Sequence, residues 1–192
     1  MNKNSFLCGL FLLTFLFCSS VFADLASSSD NLGPPVADSL TVFDTVELSH
    51  LQVELTDEAA PAPRQPAPPL TQMWVYAVGS SNCGWEYPAP GAFSTSCDHG
   101  GTQLRAVVLE IGYGSSPFAW MLGGLLPSSA NYLTEMLCDQ GGGMLGYCSP
   151  GQTVVGFLRY YNLDGHQSGN FSYQNTSTNS PWNTMSTNIN IR

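Results

Sequence analysis

Apolar and polar positions change rhythm several times along the chain. A run of mostly apolar residues, Phe6 to Phe17, follows a single basic residue, Lys3, and stops at Ser19 and Ser20. Such a run falls short of the roughly 20 residues that cross a bilayer. Val21-Phe22-Ala23 then supplies the residues before a cut, so the pattern predicts a cleaved secretory signal over residues 1–23. Cys18 is preceded by the bulky Phe17, which disfavours a lipid attachment site. From Leu40 to Leu55, Leu40, Val42, Val46, Leu48, Leu51, Val53 and Leu55 alternate irregularly with polar residues, enough for a transient helix or strand.

Past Leu70 the pattern is that of strands. Met73 to Val78 is aromatic and β-branched with both faces apolar, which predicts a central strand ending at Gly79-Ser80-Ser81-Asn82. Leu104 to Ile111 reads as a second strand and Thr153 to Tyr161 as a third, closed by a turn at Asp164-Gly165. Ser128 to Cys138 combines serine caps with apolar residues at Tyr132, Leu133, Met136 and Leu137, a spacing that predicts a short amphipathic helix. Phe171-Ser172-Tyr173 and Asn188 to Ile191 alternate with period two and read as edge strands with one wet face. The expected fold is α+β, mainly antiparallel β with one short helix, in a single disulfide-stapled domain over residues 70–192.

Charge sharpens this division. Between Asp24 and Ala60 lie eight acids and no lysine or arginine, followed by an Ala/Pro-rich stretch from Ala59 to Pro69. Self-repulsion and proline disfavour compaction, so residues 24–69 read either as a solvated spacer or as a removable pro-segment. The whole chain carries a net charge of −9, and no lysine follows Lys3. A phosphate-binding surface is excluded on these grounds, and with it nucleic acid and anionic lipid as partners.

Beyond the signal, four cysteines remain: Cys83, Cys97, Cys138 and Cys148. An even number in an exported chain predicts two disulfides, and of three connectivities the short loops favour Cys83–Cys97 and Cys138–Cys148. No Cys-x-x-Cys or His-x-x-x-His spacing points to zinc, and no metal or cofactor is expected.

The densest polar cluster is Cys97-Asp98-His99-Gly100-Gly101, with Glu110 inside the second strand. A hydrolase would use His99 as base, Asp98 or Glu110 to orient it, and the glycine amides for an oxyanion. No Gly-x-Ser-x-Gly elbow supplies a nucleophile, and a turn anchored by a disulfide accounts for the same residues. Glu110 either pairs with Arg105 or Arg159, or acts as an acid/base group with Asp98, Glu86 or Asp164 as a second carboxylate. Asp164-Gly165-His166 reads as a turn, with metal ligation beside His99 as the alternative. Trp85 and Tyr87 lie in a Pro/Gly-rich loop between two cysteines and are the aromatic residues expected to be exposed and interactive. Asn170 and Asn175 begin glycosylation acceptor patterns, which matter only in a eukaryotic host.

With Ala67-Pro68-Pro69-Leu70, Trp74-Val75-Tyr76-Ala77-Val78, Cys97-Asp98-His99-Gly100-Gly101 and Glu110-Ile111-Gly112-Tyr113-Gly114 in view, residues 66–165 resemble the YolA-like family of small secreted bacterial proteins. The resemblance implies export and an independently folded domain, and it transfers no catalytic role. The acidic segment from Asp24 to Ala60 departs from that family's compact form. The first functional expectation is a secreted non-enzymatic binding module, acting in bacterial competition or at the cell envelope, with an extracellular protein or envelope glycan as partner. The alternative is a secreted hydrolase built on His99, Asp98 and Glu110. A third reading is an acidic envelope protein with a structural role. The expected location is extracellular, or else periplasmic, with no stable membrane insertion after signal cleavage.

Overall fold

A computed structural model describes residues 46–51, 53 and 67–192. The signal expected over residues 1–23 and much of the acidic and Ala/Pro-rich stretch lie outside the described residues. Among the described residues, no helix is long and apolar enough to cross a membrane.

Ten strands carry the fold: β1 (Gln72–Ser80), β2 (Gly84–Glu86), β3 (Leu104–Ile111), β4 (Phe118–Met121), β5 (Gly124–Leu125), β6 (Asn131–Asp139), β7 (Leu145–Tyr147), β8 (Val154–Asn162), β9 (Gly169–Thr176) and β10 (Thr184–Ile191). They form a six-stranded sheet in the order β2-β1-β3-β8-β6-β7 and a four-stranded sheet in the order β10-β9-β4-β5. Every pairing between strands is antiparallel. The three expected strands over residues 73–78, 104–111 and 153–161 are β1, β3 and β8, which lie side by side in the larger sheet. Their residues are apolar on both faces because both faces are covered.

One face of the larger sheet meets the smaller one. Val75, Val108 and Tyr161 pack there against Ala119, Phe171, Tyr173, Ile189 and Ile191. The opposite face, with Tyr76, Val107, Leu109, Leu158 and Tyr160, is covered by Val46, Leu51 and Val53. These three residues are at most 4% exposed, so this short stretch is packed against the sheet.

The fold is mainly antiparallel β, and the helix expected over Ser128–Cys138 is not formed. Ser128–Ala130 make one 3₁₀ turn, and Asn131–Asp139 pair with β8 as β6. The misleading spacing comes from apolar residues on the exposed face: Tyr132 is 43% and Met136 54% exposed, each beside an inward-facing leucine, Leu133 or Leu137. Two apolar pairs four residues apart then read as a helical face, although the strand alternation is kept from Asn131 to Leu137. A helix this short is marginal alone, whereas β8 offers a row of backbone partners. The second correction concerns the tail: β10 is an edge strand, but β9 lies between β10 and β4.

Both favoured disulfides are formed, Cys83–Cys97 with Cα atoms 6.4 Å apart and Cys138–Cys148 with Cα atoms 5.0 Å apart. The first closes the loop after β1; the second ties β6 to the chain just beyond β7.

Candidate functional site

The residues of the hydrolase reading stand apart. His99 is fully buried, with Nδ1 3.1 Å from Ser80 Oγ and Nε2 3.0 Å from Glu86 Oε2. Cys83 N–H donates to Ser80 Oγ at 3.2 Å, and the Glu86 carboxylate, which only accepts, takes its hydrogen bond from Nε2–H. Burial pushes the Glu86 carboxyl up, but the amides of Ser96 and Cys97 and the His99 ring outweigh it and hold it below its ordinary value. The connectivity is that of a serine, histidine and acid in a row, yet Ser80 and His99 are both fully covered. Here the row acts as a brace: His99 N–H donates to Arg192 O, and Arg192 N–H to Thr95 Oγ1, fixing the loop to the chain end.

Asp98, expected beside His99 functionally, is exposed. Glu110 lies far along the sheet. Ser80 pairs with Leu104, and Glu110 is six residues further on β3, about 20 Å at the strand rise of about 3.3 Å per residue. It is fully buried between the sheets. Arg159 Nε donates to its Oε2 at 2.8 Å, while Tyr173 Oη and Asn175 Nδ2 donate to Oε1 at 2.5 and 2.6 Å. Arg105 instead bonds Asp164 and, at 2.9 Å, Asn162 Oδ1. Burial raises the Asp164 carboxyl, and hydrogen bonds led by Arg105 reverse that and lower it.

A different constellation forms on the outer face of the larger sheet, around Val46 and Glu47. Val46 N–H donates to Tyr160 Oη at 3.5 Å, and Tyr147 Oη donates to Val46 O at 3.0 Å. Glu47 N–H donates to Tyr87 Oη at 2.9 Å, and Tyr76 Oη donates to Glu47 O at 2.5 Å. Four phenol hydroxyls thus satisfy all four backbone polar groups of two successive residues. Glu47 is extended, with φ −74° and ψ 132°.

The four tyrosines come from β8, β7, the end of β2 and β1. In a flat sheet β2 and β7 would stand five steps of about 4.8 Å apart, about 24 Å. Tyr87 and Tyr147 nevertheless reach the same peptide unit, so the sheet curls around the segment. Trp85 and Tyr87, expected to project from a loop, are half-buried and pack against the same cluster as Val46, Leu51 and Val53. The Tyr87 ring meets Tyr76 edge-on at 5.4 Å. The sequence showed the aromatic pair but not its cover, which lies some forty residues upstream. The tyrosine set was also missed, because its members are spread over β1, β2, β7 and β8 with no common spacing.

The phenols share one electrostatic bias. Burial raises the pKa of Tyr76, Tyr87, Tyr147 and Tyr160, Tyr147 to about 12, and the acid groups Glu47 and Glu135 add to it. A phenol raised in the folded state stabilises that state fully below its unfolded value near 10, and the contribution is lost as pH climbs through the raised value. The fold is therefore expected to weaken above about pH 10. An absorbance titration should show these phenols ionising late in the intact chain; four phenols titrating at the ordinary value would contradict it.

Fold and groove together define a disulfide-braced, mainly antiparallel β module that holds a short segment, extended at Glu47 and turning over Leu48–His50, on a curled sheet. The chain belongs to the family described as Domain of unknown function (DUF4879), matched over residues 62–191. That match takes in all ten strands and both disulfides and leaves the bound stretch at residues 46–53 outside. No curated protein matches the chain.

Proposed function

We propose that this domain is a non-enzymatic binding module whose curled sheet receives a short segment of another protein, and that residues 46–51 and 53, extended at Glu47 and forming a 3₁₀ turn over Leu48–His50, occupy the groove in cis. The observation that carries this reading is the bonding of both N–H and both C=O groups of Val46 and Glu47 by tyrosine hydroxyls. Backbone bonding of this kind tolerates many sequences, while buried sockets select side chains. Here the sockets take Val46, Leu51 and Val53, and Glu47 and Ser49 face solvent. The preferred partner is thus a protein segment with apolar residues at those spacings that can make the same single turn between the first and second of them. Trp85 and Tyr87 belong to this groove, in keeping with the binding role proposed for them. The two disulfides and the signal-like start support action outside the cytosol, as in the secreted bacterial YolA-like proteins, at an envelope or between competing cells.

The test is exchange of the segment. Val46→Asp with Leu51→Asp places two charges in apolar sockets and should release it, at a cost of several kcal/mol to the closed form. A labelled peptide copying residues 44–54 should then bind the variant and not the unaltered chain, in which the groove is filled. Tyr76→Phe and Tyr160→Phe in the released variant should each weaken the peptide by about three- to tenfold, the range of one hydrogen bond. A folded, released variant that ignores the peptide would overturn the reading.

A further inference from the structure

A second recess lies on the inner side of the larger sheet, away from the tyrosine groove. The smaller sheet covers β1, β3 and β8 there, and beyond its β4–β5 hairpin a cleft of about 430 Å³ opens over Arg159. Pro117, Phe118, Leu125, Leu126 and Pro127 line its walls. Its volume is within the range of small-molecule sites, about 300–1,000 Å³. Phe118 is 46% exposed and Leu125 60% exposed, so the apolar wall is open to solvent.

The Arg159 guanidinium lines this cleft with an open edge. Arg159 spends Nε on Glu110, and among the described residues its two Nη groups make no hydrogen bond. Asn131 accepts from Thr134 Oγ1 at 3.1 Å through Oδ1, while its Nδ2 lies beneath the surface beside the Tyr161 phenol. The planar guanidinium fork matches the two oxygens of a carboxylate. The walls decide what is attached to it. A peptide brings an amide at every residue that must be satisfied, and two of the wall residues are prolines, with no N–H to offer. A saturated hydrocarbon chain makes no such demand.

We infer that the cleft beside Arg159 binds an acyl-chain carboxylate, with the carboxylate on the two Arg159 Nη groups and the chain along Phe118, Leu125 and Leu126. This site is independent of the groove occupied by residues 46–53. Glu110 already offsets the guanidinium charge, so recognition depends on placed donors and apolar cover more than on net charge.

Decanoate titrated into the full chain, followed by isothermal calorimetry and by the side-chain amide signals in NMR, tests this. Binding should shift the Asn131 amide pair, and decanol should bind at least about tenfold more weakly, because it lacks the charge-assisted bonds. Leu125 is exposed, so its replacement leaves the core intact. Leu125→Glu should weaken decanoate by about tenfold or more, whereas Leu125→Lys should hold or improve it. Equal binding of decanol, indifference to the sign of charge at position 125, or no binding of decanoate at all would each overturn the assignment.

Discussion

Arg159→Ala is expected to remove about 3–5 kcal/mol of folding free energy, since it strands the Glu110 carboxylate between two sheets without its cation. Tyr173 and Asn175 would still donate to Oε1, but both are neutral, and Glu110 itself is fully buried. The reciprocal change should be milder. In Glu110→Gln the arginine keeps a side chain 16% exposed at the open cleft, where water can solvate it. Gln also still offers an oxygen to Tyr173 or Asn175, so a loss of about 1–3 kcal/mol is expected. Urea melts of both variants give the comparison directly. The asymmetry is the sharp part: equal losses would mean that the two ends of the pair are equally enclosed, and a loss under about 1 kcal/mol for Arg159→Ala would mean that the carboxylate is not held by charge.

The same pair shows where sequence reading succeeds. Glu110 stands alone in an apolar strand, and such a residue needs a partner whether or not it is catalytic, so Arg105 and Arg159 were the natural candidates. Parity and register decide between them: Glu110 pairs with Phe157, two residues from Arg159, which puts both side chains on the inner face, whereas Arg105 lies on the outer one beside Asp164. Parity within β3 already puts Arg105, five residues from Glu110, on the opposite face; that Arg159 shares the face of Glu110 was fixed only by register. His99 is the opposite case. Asp98 is its neighbour in sequence, but the partners are Glu86 and Ser80, brought in by the Cys83–Cys97 loop and the end of β1. The central strands were read from residues apolar on both faces, while β2, β4, β5 and β7 are too short to show a period. The burial of residues 46–53 was hidden for another reason: the acids around them dominate composition, yet the acidic side chain of Glu47 faces solvent while its backbone is bonded. Charge density measured over the whole segment averages away a short stretch whose apolar residues all point one way.

Gly112→Ala is expected to be as damaging as the loss of Arg159, by an unrelated route. The glycine following β3 has φ +92°, and a Cβ built there would stand 1.9 Å from Pro69 O and 2.6 Å from Pro69 C. Backbone cannot step aside as a flexible side chain can, and here it is pinned on both sides. Tyr113 N–H donates to Pro68 O at 3.1 Å, Thr71 N–H to Ile111 O at 2.9 Å, and Gly112 N–H to Val155 O at 2.8 Å. This crossing fixes where the chain enters the sheet after the Ala/Pro stretch, and hence the point from which residues 46–53 must reach back to the tyrosines. Gly123 supplies the control, with φ +79° and no atom within 4 Å of an added Cβ. Gly123→Ala should cost about 1–2 kcal/mol from left-handed backbone alone, against about 4 kcal/mol or more for Gly112→Ala, where the overlap is added. Thermal or urea unfolding of the two variants separates the contributions. If they agree within about 1 kcal/mol, the approach of Pro69 is relieved by a small movement, and the entry point is held by its hydrogen bonds instead.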